Sequence, residues 1–191
     1  MNNFSLKSKL DDEQLNKKCI LIIGILYFII LFWVIIFKCN VNSALHVEVN
    51  RSKPLLDRFI SGCTKNPIKA LQWAIKRKYY IEVLAFVFNI IALIPLGVFF
   101  RYFYKRGKSL ALSFLVILFV ELFQLFSGYG GFELTDFATN MTGALIGVIL
   151  FEKLVLVVKP KHINNTIRFA IYPAFAFSIF AIVNTIIHFP G

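Results

Sequence analysis

Long runs of apolar residues, separated by shorter polar and basic segments, dominate this chain. A run of about 20 residues, rising about 1.5 Å per residue as a helix, spans the roughly 30 Å hydrocarbon core of a bilayer. Helices are expected because unpaired backbone groups are costly in lipid. The pattern predicts an all-α fold, a polytopic transmembrane helical bundle of about five spans, at residues 19–37, 81–100, 109–126, 137–158 and 169–189.

The first apolar run has two possible interpretations, a cleaved signal peptide or a retained anchor. A signal peptide has a shorter apolar region and ends in small residues, whereas Lys38, Cys39 and Asn40 follow this run. We therefore predict that residues 19–37 are a retained membrane span.

The second run contains Pro95, with Gly97 two residues further on. Proline lacks a backbone N–H and its ring clashes with the preceding helical turn, and glycine adds local freedom. This combination predicts a bend near the middle of the span.

The long loop between the first two spans includes the segment PIKALQWAIKRKYY at residues 67–80. Ile68, Leu71 and Ile75 fall on one helical stripe, with Trp73 and several lysine and arginine residues beside them. This pattern is typical of an amphipathic helix lying in the interfacial headgroup region. A solvated basic loop is the alternative.

Composition supports a membrane protein, with 58% hydrophobic residues, while the net charge of +11 raises the question of partners. No zinc-finger spacing, RNA-binding motif or DNA-reading basic helix accompanies the charge, so we expect no nucleic acid partner. The bilayer with its anionic headgroups accounts for it better. Residues 127–135 contain no basic residue and residues 101–108 contain four, so the positive-inside rule places 127–135 outside and the N-terminus in the cytoplasm.

The three cysteines, Cys19, Cys39 and Cys63, form no CxxC motif, and no His/Cys group has metal-ligand spacing. We therefore predict neither a metal nor a cofactor. A disulfide between Cys39 and Cys63 is geometrically conceivable if both lie outside the cell.

Acidic and amide side chains within the third and fourth spans carry the main chemical information. A charged group inside a membrane costs at least a few kcal/mol, so each one invites a functional hypothesis. Glu121 and Gln124 share one face of the third span, and Asp136 and Asn140 share one face of the fourth. We expect these four to converge near the outer surface, with Asn89 of the second span as a fifth member. Glu121 should lie about 8 Å below the outer end of its span.

Each member of this cluster also has a purely structural interpretation. Thr135 or Asp136 could cap the fourth helix, and the amides Asn89, Gln124 and Asn140 could be hydrogen-bonding links between helices. Glu121 is harder to explain in this way, because spans two to four offer no lysine or arginine partner. It should be protonated or hydrogen-bonded inside the bundle.

Small residues follow the acidic and amide positions along the fourth span. Gly143 and Gly147 continue the face of Asp136 and Asn140, and permit close approach of a neighbouring helix. That helix can belong to the same chain or to a second copy, so oligomerisation is possible.

Three segments together resemble the VanZ-like membrane protein family: NIIALIPLG at 89–97, ELFQ at 121–124 and FELTDFATNMTGALIG at 132–147. The resemblance covers roughly residues 80–151. Two departures are a glycine at Gly130, where many members carry arginine, and Glu133, where many carry aspartate. The matching positions, in order and spacing, are Asn89, Pro95, Gly97, Glu121, Gln124, Asp136, Asn140, Gly143 and Gly147.

The resemblance implies a multi-pass protein of the bacterial cell membrane, and the family's namesake is associated with resistance to the glycopeptide antibiotic teicoplanin. It also suggests a division of the chain. We predict a cytoplasmic segment at 1–18, the first span and basic loop at 19–78, a VanZ-like core at 79–158, and a loop with the fifth span at 159–191.

Three functions compete at this point. The first is a non-enzymatic factor that modulates glycopeptide susceptibility by binding the lipidated antibiotic or a lipid-linked cell-wall precursor at the outer leaflet. The second is an intramembrane enzyme in which Glu121 acts as general acid or base and Asp136 is its partner. The third is a proton-coupled transporter, although the chain has no visible inverted repeat. Against an enzyme, His46, His162 and His188 lie outside the cluster.

Overall fold

A computed structural model describes residues 17–32, 53–64, 66–128 and 131–158. The predicted fifth span, the N-terminal segment 1–16 and the end of the first span lie outside the described residues, so a count of five spans is not confirmed. Cys63 is a free thiol, while Cys39 also lies outside.

All regular structure in the described ranges is helical, as predicted. Helix α1 covers residues 17–32 and contains the described part of the first predicted span. The other helices are α2 (Leu55–Cys63), α3 (Pro67–Arg77), α4 (Tyr80–Phe103), α5 (Arg106–Ser127) and α6 (Leu134–Val157). Three segments within them are long and apolar enough to cross a membrane: Val83–Phe103, Arg106–Ser127 and Leu134–Val157.

Among the described helices, α4 and α6 pack most closely, through glycines. A Cβ atom added at Gly97 would collide with the carbonyl of Ala144, and one added at Gly143 would collide with the carbonyl of Ile90. Gly147 likewise faces the backbone of α4 at Ile94. The predicted close approach along this glycine face is therefore present within the chain, and α4 runs unbroken through Pro95.

Helix α1 joins this pair through an aromatic core. The buried Tyr27 hydroxyl donates to the carbonyl of Ala92, in the turn before Pro95. Phe28 packs edge-on against Phe99, with ring centroids 5.2 Å apart.

The two ends of the bundle differ in charge. At the basic end, where α4 meets α5, Nε of Arg101 lies 2.9 Å from Oε1 of Glu152, and Nη1 of Arg106 lies 3.8 Å from its Oε2. Glu152 lies in the last turns of α6, and its contact with Arg101 joins α6 to α4. At the opposite end, called the turn end below, α5 stops at Ser127 and α6 begins at Leu134.

The amphipathic helix predicted at 67–80 is present as α3. The side chain of Asn66 caps it by accepting from the backbone N–H groups of Ile68 and Lys69 at 3.0 and 3.2 Å. Lys78 ends it in the left-handed conformation at φ 58°. The prediction of a helix is therefore confirmed at residues 67–77, and the alternative of a solvated loop is wrong. The position of this helix in the headgroup region stays a prediction.

Candidate functional site

The polar cluster lies among α4, α5 and α6, toward the turn end. Asn89 comes from α4, Glu121 and Gln124 from α5, and Asp136 and Asn140 from α6. Glu121, Gln124 and Asn140 are all 2% exposed or less. The structure therefore brings polar side chains from three apolar helices into one interior region, which a hydrocarbon environment favours only if they bond to one another.

Glu121 accepts hydrogen bonds on both carboxylate oxygens. Nδ2 of Asn140 donates to Oε1 at 3.4 Å, and the backbone N–H of Glu133 donates to Oε2 at 3.3 Å. Glu133 is the N-cap residue directly before α6, at the helix end where backbone N–H groups lack partners within the helix. Glu121 thus supplies a carboxylate from α5 to the positive end of α6.

Asp136 accepts a hydrogen bond from a side chain of another helix, whereas a capping residue accepts from backbone N–H groups of its own helix. Its Oδ1 accepts from Nδ2 of Asn89 at 3.1 Å, which links α6 to α4. The N-cap residue of α6 is Glu133, and it makes no side-chain capping bond. The interpretation of Thr135 or Asp136 as the N-cap is therefore wrong, although the negative charge of Asp136 still suits the first turn of the helix.

The two hydrogen-bonded pairs are joined through one turn of α6. Asp136 and Asn140 are four residues apart, and between them the hydroxyl of Thr139 donates to the carbonyls of Thr135 and Asp136 at 3.1 and 2.9 Å. The result is a continuous polar layer that runs from α4 through α6 to α5.

Gln124 occupies the end of α5 next to this layer. Its backbone carbonyl accepts from the N–H of Gly128 at 3.2 Å, and Gly128 has φ 79°. A left-handed residue at this position is the usual way to terminate a helix, and glycine adopts it without strain. The turn that follows α5 therefore begins at Gly128.

Sequence reasoning missed helix α2, which lies against the turn end. Nη1 of Arg58 donates to the carbonyl of Leu125 at 2.8 Å, and the ring of Phe59 packs against Phe132 at 5.2 Å. A Cβ added at Gly62 would collide with the carbonyl of Phe132. The sequence does contain a pattern that predicts this helix: Pro54 at its start, followed by apolar residues at 55, 56, 59 and 60 on one helical face.

Arg58 brings a positive charge to the end of the bundle that carries Glu121 and Asp136. Spans two to four offer no cation near Glu121, but the preceding loop brings Arg58 to the last turn of α5. A cation at that position suits the negative end of a helix. Arg58 therefore places a positive charge at the end of α5 that also carries Gln124.

The donor set favours hydrogen bonding over metal coordination. Among the described residues, no group of three His, Cys, Asp or Glu side chains is arranged to hold a metal ion. Amides and carboxylates in a dry interior can instead hold helices together or bind a ligand that carries matching donors.

Comparison with protein families identifies one match. The family model described as VanZ/LLP1 matches residues 24–157, which extends from α1 to the end of α6 and includes all five cluster residues. This is a longer region than residues 80–151, where the sequence motifs lie. Curated proteins and solved structures gave no match. Because the matched region covers more than half of the chain and carries helices able to cross a membrane, this chain belongs to the VanZ/LLP1 family and is a VanZ-like membrane protein.

Proposed function

We propose that this chain is a non-enzymatic factor of the bacterial cell membrane that lowers susceptibility to teicoplanin-type glycopeptides. The observation that carries the proposal is the buried layer around Glu121, in a chain of the VanZ/LLP1 family. The ligand would be the lipidated antibiotic or a lipid-linked cell-wall precursor, bound near the turn end.

The environment of Glu121 supports a binding role over an enzymatic one. Both of its oxygens accept hydrogen bonds from fixed donors, and its side chain has no exposed surface. A general acid or base needs access to the proton that it transfers, directly or through one water. Glu121 instead lies fully buried in the helix interface.

Susceptibility of bacterial cells tests the proposal directly. A sensitive bacterium expressing the wild-type chain should tolerate more teicoplanin than cells with an empty vector, with a smaller change for vancomycin, which lacks a lipid chain. Glu121→Gln and Asp136→Leu should reduce the protection at matched membrane expression. Gly107→Ala is the matched control, because a Cβ there meets nothing within 4 Å.

Two results would contradict the proposal. Equal teicoplanin susceptibility with and without the chain would remove the drug-related role. Full protection by both cluster variants would leave the polar layer as a packing feature only.

The proposal also requires the turn end to face outside. Gly131→Cys provides a label there with open space around its Cβ, and Lys105→Cys provides one at the basic end. In a background without native cysteines, a membrane-impermeant maleimide should label intact cells at position 131 and not at 105. The reverse pattern would place the polar layer toward the cytoplasm and exclude binding at the outer leaflet.

A further inference from the structure

An apolar cavity of about 700 Å³ lies between α1, α4 and α5. Its volume falls within the roughly 300–1,000 Å³ of typical small-ligand sites. Much of its wall is formed by three helices: Phe28 and Phe32 of α1, Leu93 and Phe100 of α4, and Val116 of α5. Among the described residues that line it, Asn140 of α6 is polar and the others are aliphatic or aromatic.

Asn140 connects this cavity to the polar layer. Its Nδ2 donates to Glu121, and this fixes which atom of the amide remains for other contacts. The remaining Oδ1 is buried and accepts no hydrogen bond from any described residue, although the side chain is only 2% exposed. A buried acceptor of this kind normally has a partner, so Oδ1 is available to accept a hydrogen bond from a donor that enters the site.

The edge of the cavity shows how a ligand can enter. Ile29, Leu115 and Phe119 line the cavity and are each about 60% exposed on the outer face of the helices. Where this face meets lipid, hydrocarbon can pass from the bilayer into the cavity without crossing water.

We propose that this cavity binds one hydrocarbon chain of a membrane amphiphile, whose hydroxyl or amide N–H group donates to Oδ1 of Asn140. The apolar walls select the chain, and the Asn140 acceptor selects the donor and fixes its depth. For its cellular meaning the inference rests on the proposed function, because the bound amphiphile would be the ligand on which the factor acts.

Photolabelling of the purified full-length chain in detergent tests the proposal. The probe is palmitic acid N-methylamide with a diazirine near the chain end, and its control is the corresponding methyl ester, which lacks the N–H donor. Both should label the walls of α1, α4 and α5. The amide should label about two- to tenfold more strongly at equal concentration, as expected from one net hydrogen bond.

Three variants separate the two parts of the site. Asn140→Leu should remove the preference for the amide while ester labelling remains. Val116→Trp should reduce labelling by both probes because it fills the cavity, and Leu145→Trp, at an exposed position of α6, should change neither. Val116→Trp and the ester probe keep the test decisive even if Asn140→Leu fails to fold.

Specific outcomes overturn the inference. Equal labelling by amide and ester in the wild type would remove the role of Asn140. Unchanged labelling in Val116→Trp would place the chain elsewhere. A disulfide between Leu115→Cys and a cysteine introduced within residues 169–189, with no labelling by either probe, would assign the cavity to the chain's own C-terminal apolar segment. These labelling results do not affect the antibiotic susceptibility test of the proposed function. Conversely, unchanged antibiotic susceptibility would overturn the proposed function but not the binding of a hydrocarbon chain in the cavity.

Discussion

The side-chain amide of Asn140 donates to the carboxylate of Glu121 across the interface of α6 and α5, at 3.4 Å. This contact unites two residues that are 19 positions apart in the sequence. It orients the amide, and it gives the buried carboxylate one of its donors. The first prediction follows from this pair.

Exchanging the donor and acceptor of this pair should preserve it. Glu121→Gln or Asn140→Asp alone should lower the free energy of unfolding by about 1–3 kcal/mol, because each leaves a buried polar group badly matched. In the double variant, the amide at position 121 can donate to the carboxylate at position 140. Thermal unfolding in detergent should then reveal a favourable coupling of about 0.5–3 kcal/mol. Strictly additive losses would contradict the pairing.

The contact between Asn89 and Asp136 predicts a graded response at position 136. Asp136→Asn retains an Oδ1 acceptor for Nδ2 of Asn89, whereas Asp136→Leu removes it. The leucine variant should therefore be less stable than the asparagine variant by about 1 kcal/mol, the net value of a typical hydrogen bond. The same unfolding measurement compares them, and equal stability would show that Asn89 contributes nothing through this contact.

Glycine packing between α4 and α6 predicts a large difference between two chemically identical substitutions. Gly147→Ala would force a methyl group against the backbone of Ile94, so it should cost about 1–3 kcal/mol or more. Gly107→Ala adds the same methyl group in open space in the first turn of α5 and should stabilise by about 0.5–1 kcal/mol. Melting temperatures of the two variants should move in opposite directions.

The close contact between Gly62 and the backbone of Phe132 predicts that the position of α2 depends on Gly62. Gly62→Leu cannot keep the backbone contact with Phe132, so α2 should move away and expose the half-buried thiol of Cys63. Maleimide labelling of Cys63, with the other two cysteines replaced by serine, should become faster. Ser61→Ala, at an exposed neighbouring position, is the control and should leave the labelling rate unchanged.

The sequence predicts the long helices well because their signal is local. Apolar runs of sufficient length predict α4, α5 and α6, and the helix ends differ from the predicted spans only by a few residues. The cluster residues also share helical faces at three- and four-residue spacing, which is enough to bring them to one interface. Their individual partners, such as Asn89 for Asp136, depend on how the helices pack.

Local patterns could not predict the features that arise from contacts distant in sequence. The carboxylate at the start of α6 comes from Glu121 on another helix, so inspection of residues 133–136 suggests the wrong capping group. Helix α2 is short and lies in a basic loop, and its position depends on the carbonyl of Phe132, 70 residues beyond Gly62 in the numbering. Arg101 and Glu152 pair only because α4 and α6 are parallel neighbours, with residues 90, 94 and 101 of α4 beside residues 143, 147 and 152 of α6.

The small-residue stripe of α6 has a consequence for assembly. Because Gly143 and Gly147 already receive the backbone of α4, a second copy of the protein could use that stripe only by separating two closely packed helices of its own fold. Any homodimer must therefore form through other surfaces, and substitutions at these glycines should disturb the monomer before they affect association.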